Sequence, residues 1–441
     1  MKKVYLETYG CQMNVSDSER ISTTLAGRGY EMTNDEAQAD VVILNTCSVR
    51  EKAEQKLYSR VGRIRHADRP KPIVGVMGCV AQLEGETLFS KIEGLDFVVG
   101  TQAVGRVADA IARTLSTDEA VVDLGSREVN YDWTVAENQR HSPYIAFLPI
   151  IEGCNKFCTY CIVPFARGRE RSRSASEIVR QVLELRRNGV REVHLIGQNV
   201  NSYKPESESG LEQFEGKSAF SRLLRAVAAT GIERVKFATS FPRDFNDDIV
   251  DVIESHDNVC NWVHLPVQSG SSRILAAMKR GHTIEKYLKK IDRIKSSTKD
   301  ISLTTDIIVG FPGETEDDFQ ATIKMVEYCG FDSAYIFKYS PRPGTPAFEM
   351  ADDVSPEEKT RRFIELENTQ KRIQSNNLQR YLNKVLKVLV ERPSTRTEGG
   401  LTGHSTCQKL VNFVGTTDMI GQIVDVRVTQ IKTNSLFGVP V

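Results

Sequence analysis

The sequence predicts an α/β chain of several domains: an N-terminal parallel sheet covered by helices, a partial (βα)6 barrel, and a small C-terminal antiparallel β-barrel of the OB type. Three observations carry that reading. Strand and helix signals alternate through residues 1–117, they recur six times between 145 and 339, and short alternating strands follow one long, well-capped helix. At 441 residues the chain has room for two to four hydrophobic cores.

In the first part, Val4 to Thr8 reads as a strand and Ser16 to Arg28 as an amphipathic helix. Val41 to Leu44 is an apolar run of buried-strand type, followed by a charged helix from about Val49 to Arg65. Ile73 to Met77 and Phe97 to Val99 are further strands, each followed by a helix, the last from about Val104 to Leu115. Cys11, Cys47 and Cys79 each fall just after one of the first three strands. The carboxyl ends of parallel strands share one edge, where ligands bind, so topology alone can bring these three thiols together.

Residues 118–143 are polar and turn-rich and read as a linker. The next strands are Ile145 to Ile151, Val193 to Gly197, Val235 to Thr239, Val263 to Val267, Leu303 to Val309 and Ala334 to Tyr339. Helical stretches such as Ser176 to Arg187 and Glu316 to Tyr328 lie between them, and residues 204–217 read as a solvated insertion. In such barrels the chemistry sits at the carboxyl ends of the strands.

Ser355-Pro356-Glu357-Glu358 combines a capping Ser, Pro at the first helical position and Glu in the first turn, so a helix should run to about Tyr381. Val385 to Val390, Lys409 to Phe413, Gln422 to Val428 and the chain end then read as short strands. From Ser375 onward eight Lys/Arg (Arg380, Lys384, Lys387, Arg392, Arg396, Lys409, Arg427, Lys432) face four acids (Glu391, Glu398, Asp418, Asp425). That local basic excess suits RNA, or a barrel that only packs on the core. Domains are expected at 1–117, 140–371 and 374–441.

Lys+Arg and Asp+Glu both number 58, so any nucleic-acid surface must be local. The apolar run after Lys2 and Lys3 breaks at Glu7, and no stretch approaches the ~20 apolar residues of a membrane span. Nine cysteines without a leader argue for reduced thiols, metal ligation and a cytoplasmic location. Cys260, Cys329 and Cys407 read as small buried hydrophobes.

The most specific motif follows the first barrel strand: Cys154, Cys158 and Cys161, spaced Cys-x3-Cys-x2-Cys. Three thiolates on one tight loop suit a cubane iron–sulfur cluster with one iron left open, since ordinary clusters take four cysteines. A structural zinc site would want a fourth ligand nearby, and no Cys or His follows closely. Immediately after, Arg167, Arg169, Arg171 and Arg173 alternate. In an extended segment that spacing places all four on one side as a phosphate clamp.

The cysteine spacing, with an aromatic before the last thiol, resembles the radical S-adenosylmethionine (SAM) enzymes. Over nearly its full length the chain resembles their methylthiotransferase family. The matching runs are Thr8-Tyr9-Gly10-Cys11-Gln12-Met13-Asn14, Asn45-Thr46-Cys47-Ser48-Val49-Arg50, Gly78-Cys79, Phe165-Ala166-Arg167-Gly168-Arg169-Glu170, Leu265-Pro266-Val267-Gln268-Ser269-Gly270-Ser271 and the segment from Asp306 to Thr315. Tyr-Gly-Cys-Gln-Met-Asn and Thr-Cys-Ser-Val-Arg-Glu point to the branch acting on isopentenyladenosine in tRNA. The resemblance implies an N-terminal methylthiotransferase domain, a radical SAM core and a C-terminal TRAM domain that binds RNA.

It further implies two 4Fe-4S clusters: one on Cys154, Cys158 and Cys161, whose open iron binds and splits SAM, and an auxiliary one on Cys11, Cys47 and Cys79 that presents sulfur. A 5′-deoxyadenosyl radical would remove hydrogen from adenine carbon 2, and a second SAM would supply the methyl group. SAM contacts are expected from Tyr160, Gln198, Asn199, Ser240, Gln268, Gly310 and Gly313. The implied partners are a tRNA carrying isopentenyladenosine, a low-potential electron donor such as flavodoxin, and sulfur or cluster supply proteins. The enzyme is expected to act as a monomer away from membranes. The alternatives are the same chemistry on a ribosomal protein side chain or on threonylcarbamoyladenosine tRNA, and a non-enzymatic RNA-binding iron–sulfur sensor.

Overall fold

Residues 1–48, 51–66, 71–117, 119–125, 133–395 and 399–441 are described by the structure, a computed structural model. The chain forms two compact units. The first comprises Met1–Pro143, Glu152–Asn155 and Ile162–Glu170; the second comprises Tyr144–Ile151, Lys156–Cys161 and Arg171–Val441.

The first unit is built on a six-stranded sheet: β1 (Lys3–Thr8), β2 (Glu31–Met32), β3 (Val41–Thr46), β4 (Ile73–Gly78), β5 (Phe97–Gly100) and β6 (Val121–Asp123), in the order β2-β1-β3-β4-β5-β6. Every pairing is parallel. Helices α1 (Gln12–Gly27), α2 (Glu51–Arg65), α3 (Cys79–Glu84), α4 (Thr87–Lys91) and α5 (Val107–Thr117) connect the strands. Alternate residues of the central strands feed two separate cores. Ile43, Met77, Phe97 and Val99 pack with residues of α1 and α5, whereas Val42, Leu44, Val74, Val76 and Val98 pack with Leu57 and Leu88. Such two-sided burial explains the continuous apolar runs.

Three details differ from expectation. Helix α1 begins at Gln12, because Cys11 takes the extended N-cap conformation, φ −96°. The strand β6 lies inside the expected linker, and two adjacent valines are too short a signal to reveal it. Its register on β5 is reinforced by Arg106, whose Nε and Nη2 donate to the Asp123 carboxylate at 2.7 Å each. The compact unit therefore runs past residue 117, to Pro143. The expected helix start at Val49 and the motif residue Arg50 lie outside the described residues.

The second unit contains all six expected barrel strands: β7 (Ile145–Pro149), then, after the two-residue strands β8 (Ile151–Glu152) and β9 (Arg171–Ser172), β10 (Glu192–Ile196), β11 (Arg234–Phe237), β12 (Trp262–His264), β13 (Ser302–Val309) and β14 (Ser333–Lys338). They pair in parallel as two three-stranded sheets, β11-β10-β7 and β12-β13-β14, with single bridges Val235–Val259 and Gln268–Ile307 beyond the regular strands. Between them lie α6 (Val163–Arg167), which belongs to the first unit, α7 (Ala175–Arg187), α8 (Ala219–Ala229), α9 (Asp248–Ser255), α10 (Ser272–Ala277), α11 (Ile284–Lys295) and α12 (Glu316–Cys329). Strand alternation sends Leu148, Val193, Leu195, Val235, Phe237, Val263, Leu303 and Ile307 outward into one core beneath the helices. The insertion at 204–217 is exposed along most of its length, but Leu211 is fully buried in that core and anchors it.

Helix α13 (Pro356–Gln379) starts as expected, Ser355 Oγ accepting from the Glu358 amide at 3.2 Å. The tail closes into a five-stranded barrel: β15 (Val385–Pro393), β16 (Gly400–Ser405), β17 (Leu410–Val414), β18 (Ile423–Ile431) and β19 (Leu436–Pro440). It is antiparallel except for β17 and β19, which run parallel. The strand β16 was not foreseen, since its two glycines mask the alternation. Part of the tail's basic excess is spent on the core. Arg380 and Lys409 both pair with buried Asp332, at 3.0 and 2.9 Å, and Lys409 Nζ also donates to Ser302 Oγ. Arg396 and Glu398 of that charge count lie outside the described residues.

Candidate functional site

At the carboxyl edge of the first sheet the chain leaves β1, β3 and β4 through Cys11, Cys47 and Cys79. Cys47 and Cys79 are buried and Cys11 is exposed. Two glycines let the three loops approach. A Cβ on Gly10, at φ +139°, would lie 2.7 Å from Cys47 Cβ; one on Gly78, at φ +94°, would lie 2.5 Å from both Asn45 Oδ1 and Thr46 O. A buried amide pair ties the loops together. Asn14 Nδ2 donates to Thr46 O at 3.0 Å, Asn45 Nδ2 donates to Asn14 O at 2.9 Å, and Asn14 Oδ1 accepts from the Cys11 thiol at 3.2 Å. The Cys11 thiol is pulled down to about 6, first by its hydrogen bond with Cys47 and further by the charge of Arg167. Burial pushes the Cys79 thiol up.

Arg167 is 3% exposed. Its Nη1 lies 2.7 Å from Asp17 Oδ2 and 3.5 Å from Glu152 Oε1, and its Nη2 reaches Asn14 Oδ1 at 3.4 Å. Burial opposes its charge, but Asp17, Cys79, Glu152 and Cys11 hold it firmly protonated. Three thiols at one sheet edge beside a buried cation fit an iron–sulfur group, whose thiolates need their charge offset. Among the described residues no three His, Cys, Asp or Glu side chains converge as the ligands of one metal ion would. A cubane asks for something else, one thiolate per iron.

The second triad occupies eight consecutive residues. In the second unit Cys161 N donates to Cys158 O at 3.0 Å, and Thr159 is clamped by three bonds: N to Met278 O, Oγ1 to Ala277 O, and its own carbonyl accepting from Ala347 N. In the first unit Cys154 N donates to Gly168 O at 3.1 Å. Arg280 is a participant that no spacing in the sequence announces. It is 5% exposed, its Nη1 lies 3.5 Å from Cys158 Sγ, its Nη2 donates to Pro266 O at 2.6 Å, and its guanidinium lies 4.4 Å from the Phe241 ring centroid.

Six of the seven expected SAM contacts lie where β10, β11, β12 and β13 end; the seventh, Tyr160, lies in the cysteine loop. Gln198 Oε1 and Ser240 Oγ are buried and have no hydrogen-bond partner among the described residues. Two orphaned polar atoms at adjacent strand ends fit a polar ligand. Asn199 is buried, and Gln268 holds φ +78° while bridging β13 through its own N and O. Tyr160 packs beside Ile274, Met278 and Phe311. Gly310 and Gly313 serve the turn: their amides already donate to Glu314 Oε2 at 2.6 Å and Asp353 Oδ1 at 2.7 Å.

The four alternating arginines do not form one stripe. The segment is not extended throughout, because α6 ends at Arg167 and Gly168 turns the chain at φ +74°. Arg167 is buried as described, and Arg173 is buried with Nη1 donating to Pro149 O at 3.0 Å and Nη2 to Gln181 Oε1 at 2.9 Å. Arg169 and Arg171 are exposed. The four-residue phosphate clamp is thus reduced to two candidates.

Comparison with known proteins places three models along the chain: Uncharacterized protein family UPF0004 over residues 3–100, the Radical SAM superfamily over 148–326, and the TRAM domain over 379–441. The chain is 43% identical over 444 residues to the tRNA-2-methylthio-N(6)-dimethylallyladenosine synthase of Serratia proteamaculans (strain 568), covering 99% of this chain and 92% of that protein. It is 42% identical to the enzyme of the same name from Clostridium tetani (strain Massachusetts / E88), covering 98% and 95%. Among solved structures, the radical S-adenosylmethionine methyltransferase TsrM from Kitasatospora setae, with cobalamin and a 4Fe-4S cluster bound, matches with a TM-score of 0.57. The identity there is 15%, over 79% of this chain and 74% of that one, so the likeness is one of fold alone.

Proposed function

The chain belongs to the tRNA-2-methylthio-N(6)-dimethylallyladenosine synthase (MiaB) family of radical SAM methylthiotransferases, and we propose that its six motif cysteines hold the two clusters on which that chemistry runs. Its reaction inserts sulfur and a methyl group at carbon 2 of isopentenyladenosine beside the tRNA anticodon, giving 2-methylthio-isopentenyladenosine. The full-length identity to enzymes of that name carries the assignment, and it sets aside the ribosomal-protein, threonylcarbamoyladenosine and sensor alternatives.

When bound, the 4Fe-4S clusters and SAM supply the radical, the sulfur and the methyl group, because an adenine C2–H bond is neither acidic nor electrophilic. Cys154, Cys158 and Cys161 hold the radical SAM cluster, and Arg280 donates toward Cys158 and offsets thiolate charge. Cys11, Cys47 and Cys79 hold the auxiliary cluster, oriented by Asn14 and charge-balanced by Arg167. Gln198 and Ser240 offer their unsatisfied oxygens to the amino acid end of SAM, with Tyr160, Asn199 and Gln268 alongside. Arg169 and Arg171 and the C-terminal barrel bind the tRNA backbone. A low-potential donor of flavodoxin type supplies electrons, and sulfur or cluster carriers restore the auxiliary site. The compartment is the cytoplasm, where tRNA is found; among the described residues no helix is long and apolar enough to cross a membrane.

Nucleoside mass spectrometry on tRNA from a methylthiotransferase-deficient bacterium expressing this chain tests the proposal. The expected result is 2-methylthio-isopentenyladenosine in the wild type and in Cys260→Ser, and none in Cys47→Ala or Cys158→Ala. Product formed by either of those last two variants would overturn the ligand assignment.

A further inference from the structure

The inner face of the open barrel carries residues unlike a core. Closed (βα)8 barrels fill this position with layers of Val, Ile and Leu. Here strand alternation turns Glu192, Arg234, Lys236, Trp262, His264 and Tyr335 away from the outward core. The lower level is already satisfied. Arg234 Nε pairs with Glu192 at 2.8 Å, Arg234 Nη1 donates to His404 O at 3.0 Å, and Lys236 bonds Gln408, so the C-terminal barrel closes that end.

Above this floor runs an aromatic row. The Trp262 and His264 rings stack at 6.0 Å with an interplanar angle of 11°, and His264 meets Tyr335 edge-on at 6.1 Å and 79°. Lys236 Nζ lies 4.8 Å from the centroid of the Trp262 ring, at the closed end. The Trp262 indole N–H is buried and has no acceptor among the described residues. At the other end, Tyr335 and Phe337 are 56% and 42% exposed, because β14 is the last strand of an open barrel. Tyr335 is level with Asp306 and Phe337 with Ile308, so the row climbs toward the strand ends where Gln268 and the Cys158–Cys161 turn lie.

Exposed flat rings on the edge strand β14, continued inward by the stacked Trp262 and His264 rings, form an aromatic wall. Single-stranded RNA is read by stacking unpaired bases on aromatic rings, and an isopentenyl group is apolar. Resting on the function proposed above, we infer that Trp262, His264 and Tyr335 form the subsite that selects the prenylated adenine. Tyr335 stacks on the base, and Trp262 and His264 wall the prenyl end.

The chain has two tryptophans, so Trp133→Phe leaves Trp262 as the sole tryptophan, read selectively by excitation beyond the tyrosine band. In that background, a stem-loop carrying isopentenyladenosine should change the emission saturably, and the same stem-loop with plain adenosine should need roughly tenfold more RNA, because it has no prenyl group to bury. In the cluster-loaded enzyme, Tyr335→Ala should raise KM for the prenylated stem-loop roughly tenfold, whereas Tyr335→Phe should restore it, because stacking needs only the ring. SAM-dependent 5′-deoxyadenosine release without RNA checks that each variant is folded and loaded. Equal emission changes with both stem-loops, or an unchanged KM in Tyr335→Ala, would overturn the inference. Failure of the wild type to modify the prenylated stem-loop would instead overturn the function on which it rests.

Discussion

The two cysteine triads proposed as cluster ligands are placed by opposite routes. Cys154, Cys158 and Cys161 sit within one short loop, so local chain geometry fixes most of their relation, and backbone clamps on Thr159 hold the turn. Cys11, Cys47 and Cys79 are 36 and 32 residues apart and meet only because three parallel strands end at one edge. That second assembly requires extra parts: Gly10 and Gly78 for close approach, the Asn14–Asn45 pair between loops, and buried Arg167 for charge. Both triads carry a buried arginine, Arg280 and Arg167; what the topologically encoded one adds is the glycine pair and the amide pair that align its loops.

The largest effect that can break this comparison comes from the ligands themselves. Cys158→Ala should reduce anaerobic 5′-deoxyadenosine release to background. The triple variant Cys11→Ala, Cys47→Ala, Cys79→Ala should keep that release, lose about half of the reconstituted iron, and make no methylthiolated product. Iron and acid-labile sulfide assays with product chromatography read all three quantities. Loss of SAM cleavage in the triple variant would mean that the two sites are not independent.

Next is Arg167. Replacing it with Met removes the cation nearest to the buried Asp17 and Glu152 carboxylates, leaving Asp17 only the longer pair with Arg20 at 3.7 Å. Breaking a buried pair from one side costs about 3–5 kcal/mol. Thermal unfolding of the apo protein should therefore shift strongly for Arg167→Met and by about 0.5 kcal/mol or less for Arg171→Ala, an exposed position. Equal shifts would contradict the structural role given to Arg167.

Gly10→Ala should act more narrowly. Its Cβ would press on Cys47 Cβ from a positive-φ backbone, a strain of order 1–3 kcal/mol. Auxiliary-cluster loading should fall while 5′-deoxyadenosine release holds, measured by Mössbauer quantification of the two clusters. Equal losses at both sites would show that the edge is not specifically tuned.

What could be read from the residues follows the same divide. The Cys-x3-Cys-x2-Cys loop, the Ser355 cap and the six barrel strands are signals contained in a few adjacent positions, and each appears where expected. That Cys11, Cys47 and Cys79 lie at one sheet edge was legible only through the rule that parallel strands end together. Arg280 was invisible, since it meets Cys158 across 122 residues and no local pattern marks it. The strand β6 was lost in polar sequence, and β16 behind its glycines. The arginine stripe failed for a physical reason: alternation predicts a shared face only in extended chain, and α6 with the Gly168 turn breaks that premise.

That failure sharpens into the smallest prediction, which separates two arginines of identical chemistry. Arg171 is exposed, and Arg173, two residues on, has both terminal nitrogens bonded within the protein. A phosphate contact shows itself in salt dependence, because each one releases condensed counterions, and losing one lowers the slope of log K against log salt by roughly 0.7–0.9. Arg171→Gln should reduce tRNA affinity by a few-fold at moderate salt and flatten that slope by about one contact. Arg173→Gln should leave the slope unchanged and lower thermal stability instead, since Pro149 O and Gln181 lose their donor. Filter binding across a salt series, alongside melting curves, distinguishes the two. A flattened slope for Arg173 rather than Arg171 would mean that the buried arginine is released to meet RNA, and the division between structural and phosphate-facing arginines would have to be redrawn.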